Sequence, residues 1–355
     1  MKILFLTNEL KNTCGITSHL YNLCVGLKKN EVDFEIACGK GEEVKIFRDA
    51  GLEAHVIPQL LHEKRNVINF ITAHVKLLIH LLNGKYDLVH SHHHYCANIA
   101  KNVCRILSIK TVQTNHGILP NVGLLKHFSA DYFIAVNDHI YDYLVAEEKI
   151  SGERISLIYS GIWEKENRTK ERNKKIKFIA AARHVEQKGI QDYIHAVSLL
   201  DDKYFEKAEF YIAGKGDYET NLRDLKDKLA SRIIFLGDIT NLADQFYEYD
   251  VLVMTSRSEG LSMVMIEAAY AECVVISSQF YGLNKLFNYE NGCITYNCGD
   301  YQSLSQKIAI VIDNYDEAIL LAKKLHKIII KNFNARNMVN STIDLYKSIL
   351  NKFHI

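Results

Sequence analysis

Apolar residues in this chain fall into short unbroken blocks, and between the blocks they recur with helical spacing. The blocks at 2–7, 32–38, 54–57, 110–114 and 131–136 have the length of strands buried on both faces, as does the block opening at Asp87. Later blocks at 177–181, 209–213, 233–236, 250–254 and 274–277 repeat the pattern. Helical periodicity lies between them: Leu20, Leu23, Cys24 and Leu27 within 17–29, then 43–50, 66–82 and a helix through Leu144. Helical patterns also fill 301–312 and 317–332, and the tail at 335–352 keeps apolar spacing through Val339, Ile343, Leu345 and Ile349.

Alternating strands and helices predict parallel sheets covered on both faces. The run EKENRTKERNKK at 164–175 is charged, lacks apolar periodicity and reads as a solvated linker. The expected fold is α/β, with two Rossmann-like parallel-sheet domains at 1–163 and 176–334 and a C-terminal helix over about 335–355. Ligands of such sheets bind beyond the carboxyl ends of the strands.

Composition narrows the class without naming a chemistry. The 355 residues are 48% hydrophobic and 24% charged, enough for two domains with sizeable cores. A formal net charge of +1 gives no reason to expect a nucleic-acid partner. Eight cysteines, at 14, 24, 38, 96, 104, 273, 293 and 298, form no C-x-x-C pair and read as reduced, mostly buried thiols. The opening MKILFLTNEL runs straight into a strand without the pattern of a signal peptide. No unbroken apolar run reaches about eighteen residues, so no membrane-spanning helix is expected and the chain reads as cytoplasmic.

The most informative stretch is YDVLVMTSRSEGLSMVMIEAA at 249–269. A buried strand breaks through a polar loop, and Ser262 reads as the N-cap of a helix carrying Met263, Ile266 and Ala269. Free backbone N–H groups at such an edge suit phosphate or another anionic ligand. Glu259 in the loop and Glu267 in the second helical turn flank it. Two acids on a solvated helix are the blander reading of that pair. The segment E-G-L-S-M-V-M-I-E, with its buried strand before and small residues after, resembles the signature of retaining glycosyltransferases of family 4, which have the GT-B fold of two domains facing across a deep cleft.

Other segments extend the resemblance. Ala182 through Gly189, ARHVEQKG, resembles the family's G-R-L-x-x-x-K-G, with Ala182 and His184 as departures. Gly214-Lys215-Gly216 resembles its G-x-G loop, and Gly237-Asp238 falls where the family packs the donor base. The first loop has Cys14 where the family commonly has a first glycine, which leaves Gly15 to admit the donor phosphates. G-x-G-x-x-G is missing there, so a dinucleotide-dependent dehydrogenase is a weak reading. The segment at 155–162 is similar to the family's hinge but departs from it at Tyr159, Ser160 and Trp163, and no ligand role is carried over. In the family a C-terminal helix crosses back to the first domain, and the tail here is long enough to do so.

Histidines crowd the end of one strand, Asp87-Leu88-Val89-His90-Ser91-His92-His93-His94. Alternation allows at most His90, His92 and His94 on one face, and no adjacent Cys, Asp or Glu completes a metal-ligand set. The family often carries D-x-x-H-x-H at this edge and needs no metal. His92 and His94 are therefore expected near the acceptor. His116, in Asn115-His116-Gly117, resembles the family's T-x-H-G-type segment, which implies contact with the sugar's 6-hydroxyl or the acceptor side.

The resemblance implies transfer of a sugar from a nucleoside diphosphate sugar, UDP foremost, to a glycan or lipid-linked acceptor. It implies retention at the anomeric carbon and no metal or other cofactor. Glu259 would hold sugar hydroxyls at the reacting face and Glu267 the ribose hydroxyls, while Arg183, Lys188 and the helix start at Gly260, Leu261, Ser262 and Met263 would neutralise the diphosphate. Surface polysaccharide or lipopolysaccharide assembly in a bacterium is the expected setting, with peripheral association at the inner membrane through the helix at 66–82 as one expectation. Packing of that helix on a sheet is the blander one. A non-catalytic nucleotide-sugar-binding subunit and a GT-B-type sugar-nucleotide epimerase are the alternatives.

Overall fold

Strand β1, Lys2–Glu9, shows how the first sheet is built. Its side chains alternate between two cores: Ile3 and Phe5 enter one, Leu4 and Leu6 the other. A strand buried on both faces needs a helical layer on each side, and the sequence supplies both. A computed structural model describes residues 1–11, 15–41, 45–118, 128–164, 170, 173–230 and 232–352. The chain divides into two units, Met1–Trp163 with Ala335–Ile355, and Glu164–Asn334.

In the first unit β1 is followed by α1 (Gly15–Lys29), β2 (Asp33–Lys40), α2 (Lys45–Asp49), β3 (Ala54–Val56) and α3 (Val67–Gly84). Then come β4 (Leu88–Ser91), α4 (His94–Leu107), β5 (Lys110–Asn115), β6 (Tyr132–Ala135), α5 (Asp138–Ala146) and β7 (Ile155–Leu157). The seven strands are parallel in the order β3-β2-β1-β4-β5-β6-β7. Chain order reverses between β1 and β4, which opens a crevice at their carboxyl ends.

The second unit repeats the plan. It runs β8 (Ile176–Ala181), α6 (Ile190–Ser198), α7 (Asp202–Lys207), β9 (Ala208–Ala213), α8 (Glu219–Leu229), β10 (Ile234–Gly237) and α9 (Leu242–Gln245). Next are β11 (Val251–Met254), α10 (Met263–Tyr270), β12 (Val274–Ser278), β13 (Cys293–Tyr296), α11 (Tyr301–Asp313) and α12 (Tyr315–Asn332). Six parallel strands are ordered β10-β9-β8-β11-β12-β13, with the reversal between β8 and β11.

The last helix, α13 (Ala335–Asn351), belongs to the first unit. Met338, Val339, Ile343, Tyr346 and Ile349 enter the same core as Leu20 and Leu23 of α1. Its buried Tyr346 hydroxyl pairs with His90 Nδ1 at 2.5 Å, while His90 Nε2 pairs with Thr114 at 2.7 Å. The C-terminal helix is thereby fixed to the centre of the first sheet.

Several expectations need correction. The described residues of the 164–175 run are not a free linker. Lys170 donates to the Ala271 carbonyl at 3.3 Å, Asn173 to Asp250 at 2.9 Å and Lys175 to the Phe205 carbonyl at 3.0 Å. Long polar side chains reach carbonyls and a carboxylate of the second unit, which a periodicity argument does not register. By length and composition α3 is long enough and apolar enough to cross a membrane, the one such helix among the described residues. The expectation of none required an unbroken apolar run, and Asn69, Thr72, His74, Lys76 and His80 interrupt this one. The described cysteines are buried, Cys298 apart; Cys14 lies outside the described residues.

Candidate active site

The second unit places the segments singled out in the sequence on its chain reversal. Residues 182–189 leave β8 and residues 255–262 leave β11, the two strands that flank the switch. Hydrogen bonds close one loop on the other: Thr255 Oγ1 donates to the Lys188 carbonyl at 2.9 Å and the Arg257 N–H to the Gln187 carbonyl at 2.9 Å. Gly189 sits at the seam with φ +64°, and a Cβ there would lie 2.2 Å from the Thr255 carbonyl oxygen. Only glycine fits both the backbone conformation and the contact.

Lys188 and Glu259 meet in this seam. Lys188 Nζ is 2.5 Å from Glu259 Oε1, which also accepts from Ser256 Oγ at 2.8 Å. Both side chains are mostly buried, 18% and 13% exposed, so water screens the pair little. Arg183 is exposed and has no carboxylate partner among the described residues. An exposed guanidinium and a fixed ammonium on one loop suit a diphosphate, which the first can grip bidentately and the second as a point charge.

The helix start is formed as the sequence predicts. Ser262 caps α10, its hydroxyl accepting from the Met265 N–H at 3.4 Å. Met265, Ile266, Ala268 and Ala269 are buried and hold the helix against the sheet. Gly260, Leu261 and Ser262 line a small hollow with Phe280, Leu283 and Phe287. Met263 is the first helical residue, and Glu267, half-buried, lies one turn further on.

Gly214 adopts φ +126° and would press a Cβ within 2.0 Å of the Ala182 carbonyl, so the turn after β9 lies directly on the 182–189 loop. Its N–H donates to the Gly237 carbonyl at 2.7 Å, linking three strand ends. His184, the departure from the family's leucine, is fully buried there. Its N–H donates to the Lys215 carbonyl at 2.9 Å, and its carbonyl accepts from the Tyr218 N–H at 3.0 Å. Burial pushes its pKa down, and it acts as a packed, neutral support for the turn.

One anchoring pair escaped the sequence reading. Asp192 on α6, only 5% exposed, binds both terminal nitrogens of Arg257, with Arg257 Nη2 at 2.9 Å from Oδ1. The pair raises the Arg257 pKa further and fixes the loop two residues before Glu259. An acid inside an otherwise apolar helical stripe, Ile190, Tyr193, Ile194 and Val197, was its only sign.

The first unit gathers imidazoles at its own reversal. His19 is in the second turn of α1, His92 follows β4 and His116 follows β5. His92 Nδ1 is 3.1 Å from His116 Nε2, and the His19 ring meets the His116 ring edge-on at 4.8 Å. His19 Nδ1 pairs with Ser160 Oγ at 2.7 Å, in the hinge-like segment that carried no predicted role. His19 was not singled out in the sequence, although its i, i+4 relation to Leu23 puts it beside the buried stripe of α1. Burial lowers the pKa of His19 to about 4 and those of His92 and His116 well below the ordinary value, so all three are neutral at neutral pH.

The strand-alternation argument grouped the wrong histidines. β4 ends at Ser91, so His94 opens α4 instead of continuing the strand. The His94 ring packs on His62 and His93, at 5.0 and 4.2 Å. His92 instead finds His19 and His116, whose ligand nitrogens come within 4.8 Å of one another, the one group among the described residues with the spacing to hold a metal ion. Gly15 is the first residue of α1 and exposed, at the carboxyl end of β1.

Two family models match adjoining parts of this chain and together span residues 13–334: Glycosyltransferase Family 4 over residues 13–164 and Glycosyl transferases group 1 over residues 161–334. The chain belongs to glycosyltransferase family 4. Among relatives, it is 30% identical over 123 residues to the GalNAc-α-(1→4)-GalNAc-α-(1→3)-diNAcBac-PP-undecaprenol α-1,4-N-acetyl-D-galactosaminyltransferase of Campylobacter jejuni, a match spanning 34% of each chain. It is 23% identical to the UDP-Gal:α-D-GlcNAc-diphosphoundecaprenol α-1,3-galactosyltransferase of Escherichia coli, over 90% of each chain. The solved structure of Anabaena HepE in complex with UDP superposes with a TM-score of 0.80 at 16% identity, covering 98% of this chain and 100% of that one. A glycosyltransferase from Rickettsia africae gives 0.81 at 17% identity, covering 98% of each. The fold of this family-4 glycosyltransferase is accordingly GT-B.

Proposed function

We propose that this glycosyltransferase moves a sugar from a nucleoside diphosphate sugar, UDP-linked, to a hydroxyl of a lipid-linked glycan, with retention at the anomeric carbon. The single observation that carries the reading is the seam of the second unit. There Lys188, Glu259, the exposed Arg183 and the capped start of α10 share the chain-reversal edge. The UDP in the Anabaena complex and the undecaprenol-linked acceptors named for the two relatives support the donor and acceptor classes.

In this reading the bond from the anomeric carbon to the β-phosphate oxygen breaks as the acceptor oxygen bonds the same face of the sugar. The acceptor's proton passes to the departing diphosphate. Arg183, Lys188 and the N–H groups at Gly260–Met263 take up the charge that develops on the diphosphate, each such donor being worth about 3 kcal/mol. Glu259 orients the sugar hydroxyls, Glu267 holds the ribose, and Gly214 and Gly237 frame the base. Gly15 lies at the donor phosphates, and neutral His116, backed by His92, serves the sugar's 6-hydroxyl or the acceptor. A diphosphate neutralised by side chains and a helix start needs no metal ion, and we propose a metal-independent reaction in assembly of a bacterial surface polysaccharide or lipopolysaccharide.

The test is thermal unfolding with UDP-, GDP- and ADP-sugars, each with and without EDTA, followed by turnover on an undecaprenyl-diphosphate-linked sugar. A donor at a hundred times its dissociation constant adds about 2.7 kcal/mol, a shift of several degrees. A UDP-specific shift indifferent to EDTA, with an α-linked product from an α-linked donor, is the expected result. A shift that needs a divalent ion, or an inverted product, overturns the corresponding step.

A further inference from the structure

Four imidazoles crowd the chain reversal of the first sheet, and only one of them is fully committed. His90 gives both ring nitrogens to Tyr346 and Thr114. Among the described residues the other three are each bonded at one nitrogen. His19 Nδ1 meets Ser160 Oγ at 2.7 Å, and His92 Nδ1 meets His116 Nε2 at 3.1 Å. His92 Nε2 is buried without a partner. A buried nitrogen left in that state calls for a ligand. Nothing there pins the His92 proton, which can sit on Nε2 and leave Nδ1 as a lone pair.

The donor set is made of nitrogen alone: one ligand atom each from His19, His92 and His116, all within 4.8 Å of one another. Neutral imidazoles suit zinc and its neighbours, whereas magnesium and calcium require oxygen ligands. Zinc holds imidazole nitrogens at about 2.0–2.1 Å, which sets tetrahedral ligands about 3.3 Å apart. The His92–His116 contact already has that spacing. The widest separation must close by about 1.5 Å, from 4.8 to about 3.3 Å, a movement that rotation of the side chains supplies. Burial keeps all three rings neutral at neutral pH, so no proton competes for the lone pairs. With Ser160 accepting from its Nδ1–H, His19 keeps Nε2 as a lone pair and gains the outer-shell partner typical of a zinc-bound histidine. His19 and His92 are buried while His116 is half-buried, which leaves an entry path and an open fourth position.

We propose that His19, His92 and His116 bind one zinc-class divalent ion, with the fourth position left to water. The ion is a ligand of the folded chain and takes no part in sugar transfer. Its consequence for activity rests on the function proposed above: an ion on His116 withdraws that ring from the sugar or acceptor, so zinc should inhibit.

Titration of the EDTA-treated full chain with Co(II), followed by Zn(II), tests the site without reference to turnover. Visible absorption bands of tetrahedral Co(II) should saturate at one ion per chain, vanish as Zn(II) displaces it and ignore Mg(II). His19→Asn should lose the bands and bind zinc at least about a hundredfold more weakly. Its metal-free turnover should stay within a few-fold of wild type, with zinc inhibition lost. Ser160→Ala retains all three imidazoles and should weaken zinc about tenfold, which decides the matter if His19→Asn does not fold. Wild-type chain without the bands, or zinc affinity unchanged in both variants, would overturn the proposal. Zinc bound at the cluster with no loss of turnover would uphold the site and instead remove His116 from the substrate.

Discussion

Lys188 Nζ and Glu259 Oε1 stand 2.5 Å apart although 71 residues separate them in the chain. The contact ties the loop after β8 to the loop after β11, so the ammonium is aimed before a donor arrives. Such preorganisation is where an enzyme gains most in the transition state, because no reorientation is left to make during reaction. Lys188→Ala should lower kcat/KM by about 10²–10³-fold, and Glu259→Gln should lower kcat by a similar factor. The double variant should lose less than the product of the two, since each single change already breaks the shared contact. Steady-state kinetics on the four proteins checks this, and strictly multiplicative losses would show that the two side chains act independently.

The two glutamates are assigned different partners, and kinetics can separate them. If Glu267 holds the ribose as proposed, a part of the donor that does not react, Glu267→Gln should raise KM about tenfold with kcat nearly unchanged. Glu259→Ala should leave donor affinity within a few-fold and remove turnover. Isothermal titration with UDP-sugar beside initial rates makes the comparison. A Glu259→Ala protein that keeps its turnover would shift the chemistry elsewhere on the chain.

Much of this was legible in the sequence because the site is built from segments whose local pattern is strong. The buried run before the loop, Ser262 as a cap and the two acids at fixed spacing each follow from short-range rules, and the structure keeps all three in place. What was not legible depends on contacts across the sheet. Asp192 meets Arg257 from 65 residues away, and His19 reaches Ser160 across 141, separations that no periodicity reports. The strand β13 and the helix α4 were missed for a local reason. β13, Cys293–Tyr296, has the polar Thr295 inside it and so shows no unbroken apolar block, and α4 begins inside the histidine run that had been read as a strand end.

The Asp192–Arg257 pair should be structural first. Removing the acid leaves a partly buried guanidinium without its bidentate acceptor. Asp192→Asn should therefore cost about 2 kcal/mol, less than a fully buried pair because Arg257 is 35% exposed. The melting temperature should fall by several degrees. Donor affinity should fall with it, because Arg257 fixes the loop that leads into Gly260–Met263, whose N–H groups are proposed to face the diphosphate. Calorimetry and donor titration on the same variant would reveal an idle surface pair if neither quantity moves.

Acid should loosen the first unit through its imidazoles. His19, His90, His92 and His116 are folded with pKa values lowered by burial, His19 to about 4, against an ordinary value of 6.5. Below pH 6.5 the unfolded chain binds protons that the folded chain refuses. Stability is therefore complete above that value and declines as pH falls toward the folded values, about 4 for His19. Each histidine contributes a slope of up to about 1.4 kcal/mol per pH unit. Carboxylates begin to titrate below about pH 5, so the informative window is 5 to 6.5. Urea midpoints across that window should fall steeply, and His19→Asn should flatten the slope by about one proton. A midpoint indifferent to pH would mean that the folded protein accepts those protons. His116 would then meet the substrate as a cation, and its assignment as a neutral partner of the sugar or acceptor hydroxyl would fail.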